Sequence, residues 1–207
     1  MAASVAKHGP DAATGSSRHK DWLDTGRRQF AYLLRHGLKP DDRLLEFGCG
    51  NLRAGWHIAN YLEAAHYTGV DISPAILVHA HHTIEDMKLE SKRLDLRCID
   101  RMKLPWVVDS YFDWIHAHSV VTHSPPTVVT EMIQEASRVL RPGGHFDFTF
   151  ALKPSGCPAG IESGAEYGYS EDQLSTMLSR HSFTPSVLDD WPRLDGGQVK
   201  MRGTRQG

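Results

Sequence analysis

The 207-residue sequence is poor in cysteine: it has three, Cys49, Cys98 and Cys157, and no CxxC pair. An odd, widely spaced set excludes a disulfide scaffold and suits a reducing compartment. No apolar run reaches the length of a membrane-spanning helix, and the first twenty residues hold no continuous apolar core. Neither a membrane span nor a secretory signal is therefore expected, and the expected location is the cytoplasm. An excess of one charge is missing too. Twenty-three Lys and Arg against 25 Asp and Glu leave a formal charge of -2, which gives no electrostatic ground for nucleic acid or an anionic membrane as partner. Histidine is abundant, with 13 residues, but these are scattered and form no HExxH or paired Cys/His spacing, so no metal site is expected.

What is present is the patterning of a globular α/β domain. Residues 1–18, rich in Ala, Ser, Gly and Pro, read as a flexible tail, and 19–207 as a single domain. Apolar residues at helical spacing (Trp22, Phe30, Leu33, Leu34) predict a helix from Asp21 to His36, stopped by Gly37 and Pro40. Strands are predicted at Leu44–Phe47, His66–Val70, Asp95–Ile99, Phe112–Ala117 and His145–Phe150. Helices are predicted at Ala54–Leu62, after Ser73-Pro74, and at Thr127–Leu140, the last ended by Pro142-Gly143-Gly144. Strands alternating with helices imply a parallel sheet covered on both faces. After a Pro/Gly-rich loop from Leu152 to Gly168, Ser170 and Gln173 form a capping-box pattern. Phe183–Leu188 and Gln198–Arg202 then read as a closing hairpin that adds an antiparallel strand.

The stretch LLEFGCGNLRAG, Leu44 to Gly55, carries the most chemistry. It reads as a buried strand, a glycine turn and the start of a helix. Gly48 and Gly50 lack a Cβ, so backbone there can approach a nucleoside closely. The spacing from Gly50 to Gly55 departs from the GxGxxG of nicotinamide binders. Glu46, just before the turn, suits a cofactor with a cationic ammonium group. Asp71 ends the second strand, where a carboxylate can accept from both ribose hydroxyls; capping of the Ser73 helix is the competing role. Asp100 follows the third strand, where it can accept from an adenine amino group or serve as a surface loop acid.

These strings resemble the class I S-adenosylmethionine-dependent methyltransferases. EFGCG, YTGVDIS, CID, FDWIHAHSVVTH and EASRVLRPGGHFDFTF resemble the family's successive motifs, and GNLRAG resembles a subgroup whose turn reads GxLRxG. The resemblance implies a Rossmann-like three-layer sandwich with a mostly parallel seven-stranded sheet and an antiparallel C-terminal strand. It implies S-adenosylmethionine as cofactor and methyl transfer as the activity. Glu46 would hold the methionine ammonium, Gly48 and Gly50 would flank the amino acid and ribose, and Arg53 would lie near the cofactor carboxylate. Asp71 would bind the ribose, Ile72 would pack on the adenine, and Asp100 would bind the adenine amino group with Ile99 or Arg101 beside the ring. His118 would sit between cofactor and acceptor.

The sulfonium methyl is activated already, so a base is needed only where the acceptor must lose a proton early. Histidine is the natural base near neutral pH. His116 and His118 share one face of a strand, and His118 is the first candidate for the base, His123 the second; space-filling imidazoles are the competing reading. Cys49 reads as a small buried residue, and Trp22 as a core position or a pocket wall. The absence of a basic surface favours a small-molecule acceptor, taken at an oxygen or a nitrogen, and a homodimer is compatible with the chain. A non-catalytic cofactor-binding subunit is the alternative, and a nicotinamide-dependent oxidoreductase is the alternative that Glu46 and RVLRPGG oppose.

Overall fold

The computed structural model describes residues 19–153, 160–161, 166–193 and 197–207. The chain divides between Asp100 and Arg101 into two compact units.

In the first unit, α1 spans His19–Arg35, β1 Leu44–Phe47, α2 Gly55–Tyr61, β2 Tyr67–Asp71, α3 Pro74–Asp86 and β3 Asp95–Cys98. The strands run parallel in the order β3-β2-β1. β1 and β2 are buried along their whole length, as parallel strands covered on both faces must be, which is why their sequences do not alternate. The register sets Leu44 opposite Tyr67 and Glu46 opposite Gly69. α3 starts as its sequence predicts: Ser73 Oγ accepts from Ile76 N at 3.4 Å, with Pro74 in the first turn.

The buried face of α1 differs from the expected one. It is Trp22, Gly26, Gln29, Tyr32 and Leu33, whereas Leu34 is exposed. The cause is close packing: a Cβ on Gly26 would lie 1.9 Å from the carbonyl oxygen of Arg53, so the helix backbone rides directly on the turn after β1. Apolar periodicity does not register a stripe built on Gly and Gln.

In the second unit, β4 spans Phe112–Ala117, α4 Pro126–Val139, β5 Leu140–Leu152, β6 Gly160–Ile161, β7 Tyr167–Tyr169, α5 Glu171–Arg180, β8 Phe183–Val187 and β9 Val199–Arg205. β4 and β5 are parallel, while β9 pairs antiparallel with both β5 and β8, which forms the expected closing hairpin. Phe146, Phe148 and Phe150 are fully buried, and so are Asp147 and Thr149 between them, so both faces of β5 are covered.

Two sequence expectations need correction here. Pro142-Gly143-Gly144 does not end a helix. α4 already ends at Val139, and the stretch lies inside β5, where the register slips from Phe112 opposite Leu140 to Trp114 opposite His145. Gly143, at φ +79°, permits that irregularity. The Leu152–Gly168 loop is also less bare than expected. β7 pairs parallel with the end of β5 and antiparallel with β6, which gives nine strands among the described residues where seven were expected. Tyr169 anchors this segment: it is fully buried and its hydroxyl donates to Ser124 O at 2.5 Å. The N-terminal tail, Cys157 and residues 154–159 and 162–165 of the loop lie outside the described residues. α5 carries the expected capping box, with Gln173 N donating to Ser170 Oγ at 3.2 Å and Ser170 N to Gln173 Oε1 at 2.9 Å. No helix among the described residues is long and apolar enough to cross a membrane.

Candidate active site

The turn after β1 is shaped by three left-handed residues, Gly48, Gly50 and Leu52, at φ 66°, 54° and 65°. Val70 O accepts from Gly48 N at 2.8 Å and from Cys49 N at 3.1 Å, which pins the turn to the end of β2. Asp71 completes the junction. Its carboxylate accepts from Gly50 N at 3.0 Å and from Ser73 N at 2.9 Å, tying the glycine turn to the start of α3. Asp71 thus takes the helix-start role that its sequence position offered and also pins the glycine turn. Asn51 is held from two sides: Trp22 Nε1 donates to its Oδ1 at 2.8 Å, and its carbonyl accepts from Thr83 Oγ1 at 3.0 Å. Trp22 is therefore a buried residue that fixes the turn. Arg53 is buried on the same turn, under Gly26.

The surroundings of the turn are electronegative. Glu46 is buried, and Tyr67 donates its hydroxyl to Glu46 Oε2. Burial, and then the Glu46 charge, push the Tyr67 hydroxyl well above its usual range, so it remains a donor. Burial, followed by the charges of Glu46 and Asp71, pushes the Cys49 thiol up as well, which leaves it protonated and unreactive. Burial raises Asp71 too, against the opposing pull of the Ser73, Gly50 and Ile72 amides. Ile72, the next residue, is 62% exposed, an unusual position for isoleucine beside a buried acid. Ile99 N donates to Asp71 O at 2.9 Å, so the ends of β2 and β3 are neighbours, with Asp100 exposed one residue further on. Arg101 is exposed at the start of the second unit.

In the second unit, His116 and His118 lie on one face as expected, with ring centroids 6.3 Å apart. His118 is buried and meets Trp191 edge to face at 5.7 Å, and the ammonium of the fully buried Lys200 lies 4.5 Å from the centre of the same indole. Next to His118, Ser119 has φ 62° and its amide donates to Thr149 Oγ1 at 2.8 Å. Thr149 Oγ1 donates to Gln198 Oε1 at 2.6 Å, and Gln198 Nε2 donates to Ser119 Oγ at 3.0 Å. His123 sits in the short 3-10 turn Val121–His123 and is exposed, so the two candidate bases occupy different surroundings.

Residues 45–146 match a family model described as a methyltransferase domain. The 27-O-demethylrifamycin SV methyltransferase of Amycolatopsis mediterranei is 35% identical to the chain over 130 residues, 62% of this chain and 45% of that protein. The chain spans less than half the length of three curated relatives it matches, from 38% to 45%. Magnesium protoporphyrin IX methyltransferase from Synechocystis PCC 6803, with bound S-adenosylmethionine, superposes with a TM-score of 0.70 at 16% identity, over 90% of this chain and 80% of that one. A [4+2]-cyclase, SpnF, superposes with a TM-score of 0.68 at 19% identity, over 86% and 81%. These likenesses show the fold class: α/β and Rossmann-like, mostly parallel with antiparallel C-terminal strands. Structures of that Synechocystis enzyme hold bound S-adenosylmethionine and S-adenosylhomocysteine. The residues described above would fit such a cofactor. Two buried acids flank a turn whose glycines allow close approach, an arrangement that favours a cation and repels the pyrophosphate of a dinucleotide.

In the first unit, Tyr67 and Asn51 stand inside the YTGVDIS and GNLRAG strings, which gave them no role of their own. In the second unit, Trp191, Lys200 and Gln198 belong to no motif.

Proposed function

We propose that the chain transfers the methyl group of S-adenosylmethionine to an oxygen or nitrogen of a small-molecule metabolite by in-line displacement. The observation that carries this reading is the pair of buried carboxylates, Glu46 and Asp71, around the Gly48–Gly50 turn. In this reading Glu46 holds the ammonium and Arg53 the carboxylate of the cofactor's amino acid, while Gly48 and Gly50 let the backbone pass close to it. Asp71 accepts from the ribose hydroxyls with the lone pairs that Gly50 and Ser73 leave over. Ile72 packs on the adenine, Asp100 takes its amino group and Arg101 flanks the ring. When bound, the cofactor supplies a methyl group already activated by its positive sulfur. The chain's task is to align the acceptor and exclude water, which is worth roughly 7–11 kcal/mol of barrier. His118 takes the proton of an acceptor that must lose one, with His123 as the second candidate, a contribution of about 10²–10⁴ in rate.

The names of the rifamycin and protoporphyrin methyltransferases support a small-molecule acceptor. With them we place the chain, residues 19–207, as one catalytic domain of the GxLRxG subgroup. We place it in the cytoplasm, with no nucleic-acid or membrane partner, and as compatible with a homodimer. The likeness to a [4+2]-cyclase favours a second reading, in which the cofactor site serves a step other than methylation.

Calorimetry with S-adenosylmethionine, S-adenosylhomocysteine and NAD, followed by a released-homocysteine assay over a metabolite library, separates these. The expected outcome is binding of the first two and not NAD, with turnover slowed about 10²–10⁴-fold in His118→Ala while cofactor affinity holds. Binding of NAD, or no binding of S-adenosylmethionine, refutes the proposal; tight cofactor binding without turnover on any acceptor supports the second reading.

A further inference from the structure

The assignment above leaves Tyr67 without a task, although its hydroxyl is spent entirely on the residue said to hold the ammonium. Tyr67 opens β2, two residues before Gly69, and Gly69 lies directly opposite Glu46. Tyr67 and Gly69 share a face of the strand, the face on which Glu46 lies in the neighbouring strand. Position 69 is closely packed: a Cβ there would lie 2.9 Å from a Leu96 methyl and 3.0 Å from the Cys49 side chain. The far side is closed as well. A Cβ on Gly55, at the start of α2, would lie 2.3 Å from Tyr67 Oη and 2.9 Å from Glu46 Oε2, so helix backbone covers the pair directly. The glycine at the start of α2 thus makes room for one contact, from Tyr67 Oη to Glu46 Oε2.

We propose that Tyr67 is a positioning residue: it holds the Glu46 carboxylate in one orientation and thereby sets the selectivity of the site for nucleosides that carry an amino-acid tail. The proposal rests on the reading of Glu46 as the ammonium ligand. A buried carboxylate needs a donor, and a tyrosine hydroxyl gives one without adding a positive charge that would compete with the cofactor. The pair keeps a full negative charge with one oxygen already engaged, so no rotamer freedom is lost when a cation docks. A lysine or arginine in the same place would neutralise the site, and a leucine would leave the carboxylate to protonate.

The probes are S-adenosylhomocysteine, which has the amino-acid tail, and 5'-methylthioadenosine, which keeps the adenosine and lacks the tail. Calorimetry on Tyr67→Phe should show about a tenfold weaker S-adenosylhomocysteine, the loss typical of a hydrogen bond to a charged group, and less than about a twofold change for methylthioadenosine. Equal weakening of both nucleosides, or of neither, overturns the proposal, because a merely structural tyrosine would not move their ratio. Glu46→Gln separates the two levels of inference. If it leaves the ratio intact, the ammonium assignment itself fails; if it collapses the ratio and Tyr67→Phe does not, only the role of Tyr67 fails. Should Tyr67→Phe not fold by circular dichroism, 3,5-difluorotyrosine at position 67 keeps the ring and makes the hydroxyl a stronger donor. It should then change the ratio by at least about twofold, and an unchanged ratio overturns the proposal.

Discussion

Asp71→Asn separates the bridging role from the proposed ribose role of the acid that joins the glycine turn to α3. The native carboxylate accepts from Gly50 N and from Ser73 N, one amide on each oxygen, and the side chain is buried. Asparagine keeps one carbonyl oxygen and turns an amino group toward the other amide. One buried N–H then loses its partner, a cost of about 1–3 kcal/mol. The substitution also removes a charge that burial disfavours, which offsets part of that cost. The net expectation is a loss of about 1–2 kcal/mol, which at 2–4 °C per kcal/mol lowers the melting temperature by about 2–8 °C. The pH dependence has a definite sign. Because the Asp71 pKa is raised in the folded state, the folded chain holds more protons than the unfolded one between the usual value of 3.8 and the raised value. Wild-type stability therefore rises relative to the variant as pH falls through that window, and the gap is constant above it. Calorimetric melts from pH 4 to 8 measure both effects. Titration with S-adenosylmethionine at pH 7.5 measures the second role, where loss of a ribose contact should weaken binding by about 1.5–3 kcal/mol. A variant that melts like wild type at pH 7 would refute the bridging role, and an unchanged cofactor affinity would refute the ribose role.

His57 stacks on Trp56 at 3.6 Å and on Phe30 at 5.8 Å, and burial followed by the Arg27 charge pushes its pKa down to about 4. The folded chain then binds fewer protons than the unfolded one between about 4 and 6.5, so stability should fall as pH drops through that range. His57→Leu should flatten this acid limb in urea titrations; an unchanged slope removes His57 as its source. Arg202 forms a two-point ion pair with Asp147 across β5 and β9, at 2.7 and 2.8 Å, and Asp147 is fully buried. Arg202→Met should cost about 3–5 kcal/mol because it leaves that carboxylate uncompensated, and adding Asp147→Leu should restore much of the loss. If the single variant melts within about 2 °C of wild type, the pair carries little of the stability of the second unit.

Most of the element order was legible because strand ends and helix starts here obey local chemistry. Ser73-Pro74, the Ser170–Gln173 box and β4 stand where propensity places them. The misreadings share another cause. Gly26 on α1, Gly143 in β5 and Gly69 opposite Glu46 are all positions where the absence of a side chain is the information, and hydrophobic periodicity scores them as nothing. The candidate site divides along the same line. Glu46, Gly48, Gly50 and Asp71 were readable because charge and glycine recur at strand ends, where a parallel sheet brings its ligand edge together. Tyr67 was hidden because its contact depends on register: Leu44 opposite Tyr67 puts Tyr67 on the face of Glu46, where its hydroxyl reaches the carboxylate. A one-residue slip of β2 against β1 would bring Val70 opposite Glu46 and turn Tyr67 to the other face, so the register of this strand pair is itself a determinant of the candidate site.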